Sequence, residues 1–138
     1  HPDVQVRMAA VAVLGQLADR GDPHAVSSAS GRLRRPEAHA RAAGLEALGK
    51  LAEKGDKNIA SLAIARLKDQ DPTVREAAVN VLAELVKRGD TRAISAVKAR
   101  LKDESNSVRV ASVTALVQVA DVGDERAIAA LGRCLEDA

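Results

Sequence analysis

The sequence contains no phenylalanine, tyrosine or tryptophan. A core built from it consists of Ala, Val, Leu and Ile, side chains that let helices approach closely. Its surface offers no aromatic platform on which nucleobases could stack. Cysteine is nearly absent: Cys134 stands alone, which excludes a disulfide within the chain and fits a reducing compartment. No apolar run approaches the roughly 20 residues that span a bilayer, and no charged-then-apolar leader opens the sequence. Charge of one sign is lacking too, since 21 Lys and Arg face 19 Asp and Glu for a net charge of +2. The chain is no polycation. These absences predict an intracellular, cytoplasmic protein with no membrane span.

What is there is repetition. Arg7, Arg41, Arg75 and Arg109 stand 34 residues apart. Gly21, Gly55, Gly89 and Gly123 keep the same step, each followed by an aspartate (Asp22, Asp56, Asp90, Asp124), as do Leu33, Leu67, Leu101 and Leu135. Four periods, about 1–34, 35–68, 69–102 and 103–138, fill the 138 residues. A period of this length reads as a single solenoid domain, in which each unit buries its apolar face on its neighbours.

The third period shows the design. Val74, Ala77, Ala78, Val81, Leu82 and Leu85 recur at helical spacing and predict a helix over 71–88 with one buried stripe. Pro72 falls in its first turn, where a missing N–H costs nothing. Gly89 reads as the stop, because glycine enters the left-handed region cheaply, and Asp90 as the cap of the next helix, 90–102. The same reading places helices at 3–20, 22–34, 37–54, 56–68, 105–122 and 124–136, eight in all. The expected inward residues are Val6, Ala9, Ala10, Val13, Leu14 and Leu17, then Val26, Ala29 and Leu33. They continue as Ala40, Ala43, Ala47, Leu48 and Leu51, then Ile59, Leu62, Ala63 and Leu67. Ser105 takes the cap position of the last long helix. Ser27, Ser28, Ser30 and Gly31 make helix 22–34 the poorest of the set and predict the weakest joint there.

Tetratricopeptide repeats share the period but lean on Trp, Tyr and Phe, and the Thr-Pro-Leu-His turn of ankyrin repeats is missing. The stretch Leu67-x-Asp69-x-Asp71-Pro72-x-Val74-Arg75-x-Ala77-Ala78-x-x-x-Leu82 instead resembles the HEAT-repeat consensus, in particular the bacterial-type HEAT-like repeats with Gly-Asp turns. The fourth period keeps Leu101, Asp103, Val108, Arg109, Ala111 and Leu116. The second departs most, with Arg35, Ala38 and Ala40 for the aspartate, proline and valine. The resemblance covers almost the whole chain. It implies an all-α, right-handed α-solenoid of antiparallel pairs, a HEAT-like superhelix. Gly-Asp-initiated A helices would lie on its convex side and Val-Arg B helices on its concave side. The chain then starts at His1 with a B helix and ends with an A helix, without the polar faces of terminal caps. It is expected to be a segment of a longer array.

The resemblance also assigns the arginines. Arg7, Arg41, Arg75 and Arg109 would pair with aspartates near the inter-helix turns, here Asp69, Asp103 and Asp137, since a buried charge needs a partner. A phosphate-binding ladder is the alternative. His1, His24 and His39 are too scattered for a metal site, and none precedes a glutamate as in HEAT-like di-iron hydroxylases. Cys134 occupies the column of Arg32, Arg66 and Arg100 with no histidine near it in sequence, and no phosphate-loop spacing occurs. No catalytic residue, metal ligand or cofactor is assigned.

The candidate site is a surface. Solvent-facing B positions expected to line the concave face are Met8, Gln16, Asp19, Glu46, Lys50, Glu53, Glu76, Asn80, Glu84, Lys87, Val110, Thr114, Gln118 and Asp121. The small residues Ala12, Gly15, Gly49 and Ala83 are expected to let a partner approach closely. Basic residues gather on the A helices: Arg32, Arg34, Lys57, Arg66, Lys68, Arg92, Lys98, Arg100, Lys102, Arg126 and Arg133. The leading reading is a non-catalytic scaffold that grips a helix or extended peptide of another protein, itself monomeric within a larger chain or complex. A second is binding of RNA phosphates along the A-helix edge, which the near-neutral charge and missing aromatics disfavour. A third, an enzyme subunit of the HEAT-like lyase type, rests on analogy alone.

Overall fold

The computed structural model describes residues 5, 6, 8–11 and 21–136. Seven α-helices are assigned among them: α1 (Pro23–Arg32), α2 (Ala38–Leu51), α3 (Lys57–Arg66), α4 (Pro72–Leu85), α5 (Thr91–Ala99), α6 (Asn106–Val119) and α7 (Glu125–Glu136). A 3₁₀ turn, Arg100–Lys102, tightens the end of α5. Residues 5, 6 and 8–11, within the first expected helix, are helical. No strand occurs among the described residues. The protein is an all-α solenoid. Helices α1, α3, α5 and α7 are A helices; α2, α4 and α6 are B helices.

Each short A helix starts on its Gly-Asp aspartate. Asp56 Oδ1 accepts from the N–H groups of Asn58 and Ile59, and Asp22, Asp90 and Asp124 bond first-turn amides in the same way. Asp71 caps α4 by accepting from Thr73 N–H at 2.8 Å. Ser105 holds the N-cap position of α6, but its side chain accepts no first-turn N–H. Its hydroxyl lies 2.9 Å from Ser107 Oγ, while its own N–H donates to Asp103 Oδ1.

The B helices stop sooner than the pattern predicts, at 51, 85 and 119. Ala52, Val86 and Ala120 are extended, with ψ of 142°, 153° and 146°, and all three are buried. The turn glycine is therefore not the helix stop. Asp56 N–H donates to Glu53 O, Asp90 N–H to Lys87 O and Asp124 N–H to Asp121 O, each closing a β-turn. Gly55, Gly89 and Gly123 sit at the third position of these turns with φ of 86°, 84° and 83°, where a type II turn demands positive φ. The glycine N–H then reaches the next repeat: Gly21 donates to Leu51 O at 2.6 Å, Gly55 to Leu85 O at 2.7 Å and Gly89 to Val119 O at 2.7 Å. Each bond satisfies a carbonyl that a helix end leaves without an intrahelical partner.

Helices α1, α3 and α5 each pack on the B helix that follows, and consecutive B helices pack along their length. Consecutive A helices touch only lightly. Helix α4, with neighbours on both sides, buries Val74, Ala77, Ala78, Val81, Leu82 and Leu85, and Val79 besides. The expected inward residues of α2 are all buried. Leu62 is not: it remains 36% exposed, because the loose A-helix layer leaves that flank of α3 open. Val6, Ala9 and Ala10 are exposed while Val11 is buried. Their column partners Val74, Ala77 and Ala78 are all buried. Val13, Leu14 and Leu17 lie outside the described residues.

Leu82 has no exposed surface, so Leu82→Ala is expected to cost about 2–5 kcal/mol, read by denaturant unfolding. A loss under about 0.5 kcal/mol contradicts a core position. Helix α1 is open to improvement: a Cβ added at Gly31 meets nothing within 4 Å. Gly31→Ala is expected to stabilise by about 0.5–1 kcal/mol. In the unmodified chain, amides of α1 should exchange faster than those of α3 and α5, and equal protection would remove the weak joint.

Candidate interaction surface

A network of hydrogen bonds and ion pairs runs through the loops that join A to B helices. Arg75 Nε and Nη2 donate to Asp103 Oδ2 and Oδ1 at 2.9 and 3.0 Å, a two-pronged pair between consecutive repeats. Its Nη1 donates to the carbonyls of Asp69 and Gln70, at 2.8 and 3.0 Å, in the loop before its own helix. Arg41 repeats the arrangement with Asp69, at 2.9 and 3.0 Å, and with the carbonyls of Arg35 and Pro36. Arg109 Nη1 donates to Asp103 O at 2.6 Å. Arg7 and Asp137 lie outside the described residues. The aspartates are occupied twice, since Oδ1 of Asp69 and Asp103 also accepts the N–H of Asp71 and Ser105. Arg75 and Asp103 are only 5% and 7% exposed.

Burial by itself pushes the carboxyls of Asp69 and Asp103 up. The guanidinium hydrogen bonds, the backbone N–H groups and the nearby arginines outweigh it and hold both below the ordinary 3.8. Hydrogen bonding to these carboxylates raises Arg41 and Arg75 in turn. Arg41 and Arg75 are fully engaged by protein groups, which leaves them unsuited to hold a phosphate.

Further arginines cross between repeats. Arg100 Nη1 donates to Leu67 O at 3.1 Å and lies 3.6 Å from Asp103 Oδ2. Arg92 donates to Ser61 Oγ and Arg88 to Ala120 O. Arg92 and Arg100, expected on the basic A-helix edge, thus have partners across repeats, as does Arg88, for which the sequence predicts no role. The recurrence of Arg32, Arg66 and Arg100 in one column was the available signal.

Along the B helices, Glu46, Asn80 and Thr114 are exposed in one column, and Lys50, Glu84 and Gln118 in the next. Glu53, Lys87 and Asp121 are exposed too, but they fall beyond the helix ends and lean over the preceding turn. A Cβ added at Gly89 would lie 2.5 Å from Asp121 Oδ2, and one at Gly55 would lie 3.0 Å from Lys87 Cε. Gln16 and Asp19 lie outside the described residues. Met8 and Val110 are exposed, whereas Glu76 is half-buried and Ala42 in its column is buried. That column faces the next B helix inside the array. Gly49 and Ala83 are likewise taken up in stacking: a Cβ on Gly49 would sit 3.2 Å from Val81 Cγ2, and Ala83 packs against the core. They are not openings for a partner. Ala12 and Gly15 lie outside the described residues.

Among the described residues no group of three His, Cys, Asp or Glu is placed to hold a metal ion, and no helix is long and apolar enough to cross a membrane. The family model of HEAT repeats matches residues 1–83 and again 59–138, so the whole chain is covered. The chain belongs to the HEAT-repeat family. HEAT repeats generally mediate protein–protein interaction, and HEAT scaffolds are typically non-catalytic. Comparison with curated proteins gives no match.

Removing one member of a buried pair leaves the other charge uncompensated, which costs about 3–5 kcal/mol. Arg75→Ala is expected to fall in that range by denaturant unfolding. The pH dependence has a definite sign. Asp69 and Asp103 bind protons more weakly folded than unfolded, so their contribution is complete above about pH 5 and is lost as pH falls through their lowered values. The melting temperature should hold between neutrality and about pH 5 and drop below about pH 4. Arg75→Ala should flatten that drop, and an unchanged acid profile would mean Asp103 is not what titrates.

Proposed function

We propose that this HEAT array is a scaffold that holds an extended or helical segment of another protein across its B helices. The observation that carries the reading is the pair of exposed columns, Glu46/Asn80/Thr114 and Lys50/Glu84/Gln118, aligned on three consecutive helices. Packed helices lie about 8–10 Å apart, and an extended chain advances about 3.3 Å per residue. Every third residue of an extended partner therefore meets a new repeat. With Glu53 and Asp121 at the helix ends, acidic groups outnumber Lys50 and Lys87, which favours a partner carrying lysine or arginine at that interval.

A second reading has one observation in its favour. Arg34, Lys68 and Lys102 are exposed in a single column beside the A-to-B loops, where Arg41 and Arg75 neutralise Asp69 and Asp103. A polyanion such as RNA would meet a positive stripe there.

Selection of a displayed peptide library on the chain distinguishes the two. Peptides rich in Lys and Arg are expected. Glu46→Lys with Glu84→Lys should weaken them at least tenfold with the melting temperature unchanged, while Lys68→Glu with Lys102→Glu should leave them unaffected. The reverse dependence, together with salt-sensitive binding of polyuridine, would replace the first reading by the second.

A further inference from the structure

Two grooves open between consecutive A-to-B loops, one repeat apart, and they differ in charge. The first, of about 720 Å³, lies between the loop joining α1 to α2 and the loop joining α3 to α4. The second, of about 360 Å³, lies between that latter loop and the one joining α5 to α6. Four cations line the second groove together with three carboxylates, Asp69, Asp103 and Glu104. Five cations line the first with one carboxylate, Asp69, which Arg41 already takes up at 2.9 and 3.0 Å. Two replacements within the repeat columns account for the difference. Arg35 stands in the place of Asp69, and Gln70 in the place of Glu104. The cations of the first groove are also less engaged. In the second, Arg100 donates to Leu67 O and lies 3.6 Å from Asp103 Oδ2, while Arg75 is bound to Asp103. Arg66 holds the place of Arg100 in the first. The side chains of Arg34, Arg66 and Lys68 make no hydrogen bond or ion pair among the described residues. Arg35 lies 3.8 Å from Glu37 Oε2 with both groups exposed, a pairing that water largely screens.

We propose that the first groove binds a compact oligophosphate, two or more phosphate groups linked to one another, through Arg34, Arg35, Arg66 and Lys68. The site lies apart from the exposed B columns and does not depend on what they hold. Its volume falls within the range of small-molecule sites, about 300–1,000 Å³. A guanidinium presents a planar fork that matches phosphate oxygens in pairs, and three of the four cations are arginines. One phosphate carries at most two negative charges near neutrality, fewer than four cations can balance, so linked phosphates fit the groove better than one. RNA fits it less well. A nucleic acid spreads its charge along a line, whereas the positive excess here is confined to one junction and is nearly cancelled at the next. The lining also holds no aromatic side chain on which a base could stack.

Isothermal titration calorimetry of the 138-residue chain with inorganic tripolyphosphate at low salt tests this. One-to-one binding is expected, with inorganic orthophosphate weaker by about tenfold or more. Arg35→Asp with Gln70→Glu gives the first groove the charges of the second. That variant is expected to lose about tenfold or more in tripolyphosphate affinity. Its melting temperature should not fall, since both new residues are those the same columns carry one repeat on. Lys102→Glu, which touches only the second groove, should leave the affinity unchanged. Arg34→Gln with Arg66→Gln supplies an independent pair if the first variant loses helicity by circular dichroism. Absence of both a binding heat and a rise in melting temperature at millimolar tripolyphosphate overturns the proposal. So does an equal loss of affinity in Lys102→Glu, or orthophosphate that binds as tightly. Polyuridine that binds more tightly per phosphate moves the cations to the RNA reading and overturns it, and a polyglutamate peptide that binds as well as tripolyphosphate overturns the choice of phosphate.

Discussion

The guanidinium of the B-helix arginine is the constraint on which the stack depends. Its planar fork offers two parallel donors to one carboxylate and a third nitrogen to carbonyls on the other side. Arg75 uses all of this at once, with Asp103 in the following loop and Asp69 and Gln70 in the preceding one. Two loops are thereby held at a spacing set by hydrogen-bond geometry. A lysine could satisfy the charge but not the fork. In a core of Ala, Val and Leu, a slip in register would exchange one small apolar contact for another. It would also leave a buried arginine and a buried aspartate apart, and that penalty is several kcal/mol.

The other end of each B helix is pinned differently. There the turn glycine donates its N–H to the last helical carbonyl of the next repeat, at Leu51, Leu85 and Val119. The stack of B helices is thus tied at its start by ion pairs and at its end by backbone bonds, with Val79, Leu82 and their counterparts between. Among the described residues the A helices are tied by single contacts, Arg92 with Ser61 and Arg100 with Leu67 O. Any change in curvature is cheapest in the A layer, with the B layer as the fixed edge.

The solenoid was legible in the sequence because each column is written four times over, so noise at one position, such as Arg35 or Ala38, is corrected by the others. The ends of the B helices were not legible. A glycine past a helix can be a left-handed cap or the third residue of a type II turn, and both require the same residue. What separates them is the extended ψ of Ala52, Val86 and Ala120, and no residue type announces it. The period has a second blind spot: it shows that a residue recurs, not which neighbour it faces. Glu76 and Gly49 therefore looked like surface when they belong to the junction between B helices. The contacts of Arg88 and Arg100 were not legible for a related reason, since their acceptors are backbone carbonyls about a full repeat away.

On the proposed reading, the make-up of the B face limits how tightly it holds a partner. Interfaces usually draw their energy from a few buried aromatic or arginine anchors. The exposed B columns contain neither, and two of the small residues expected to admit a partner, Gly49 and Ala83, are consumed by stacking. The anchors must then come from the partner, and what this surface supplies is a row of carboxylates and amines in fixed register. Charge rows of this kind set orientation and association rate more than residence time, and salt weakens them. Affinity would have to accumulate over successive repeats, each adding a small increment along a partner long enough to reach them. A rigid B layer suits that mode, because a row of weak contacts adds up only if the ledge beneath it does not move.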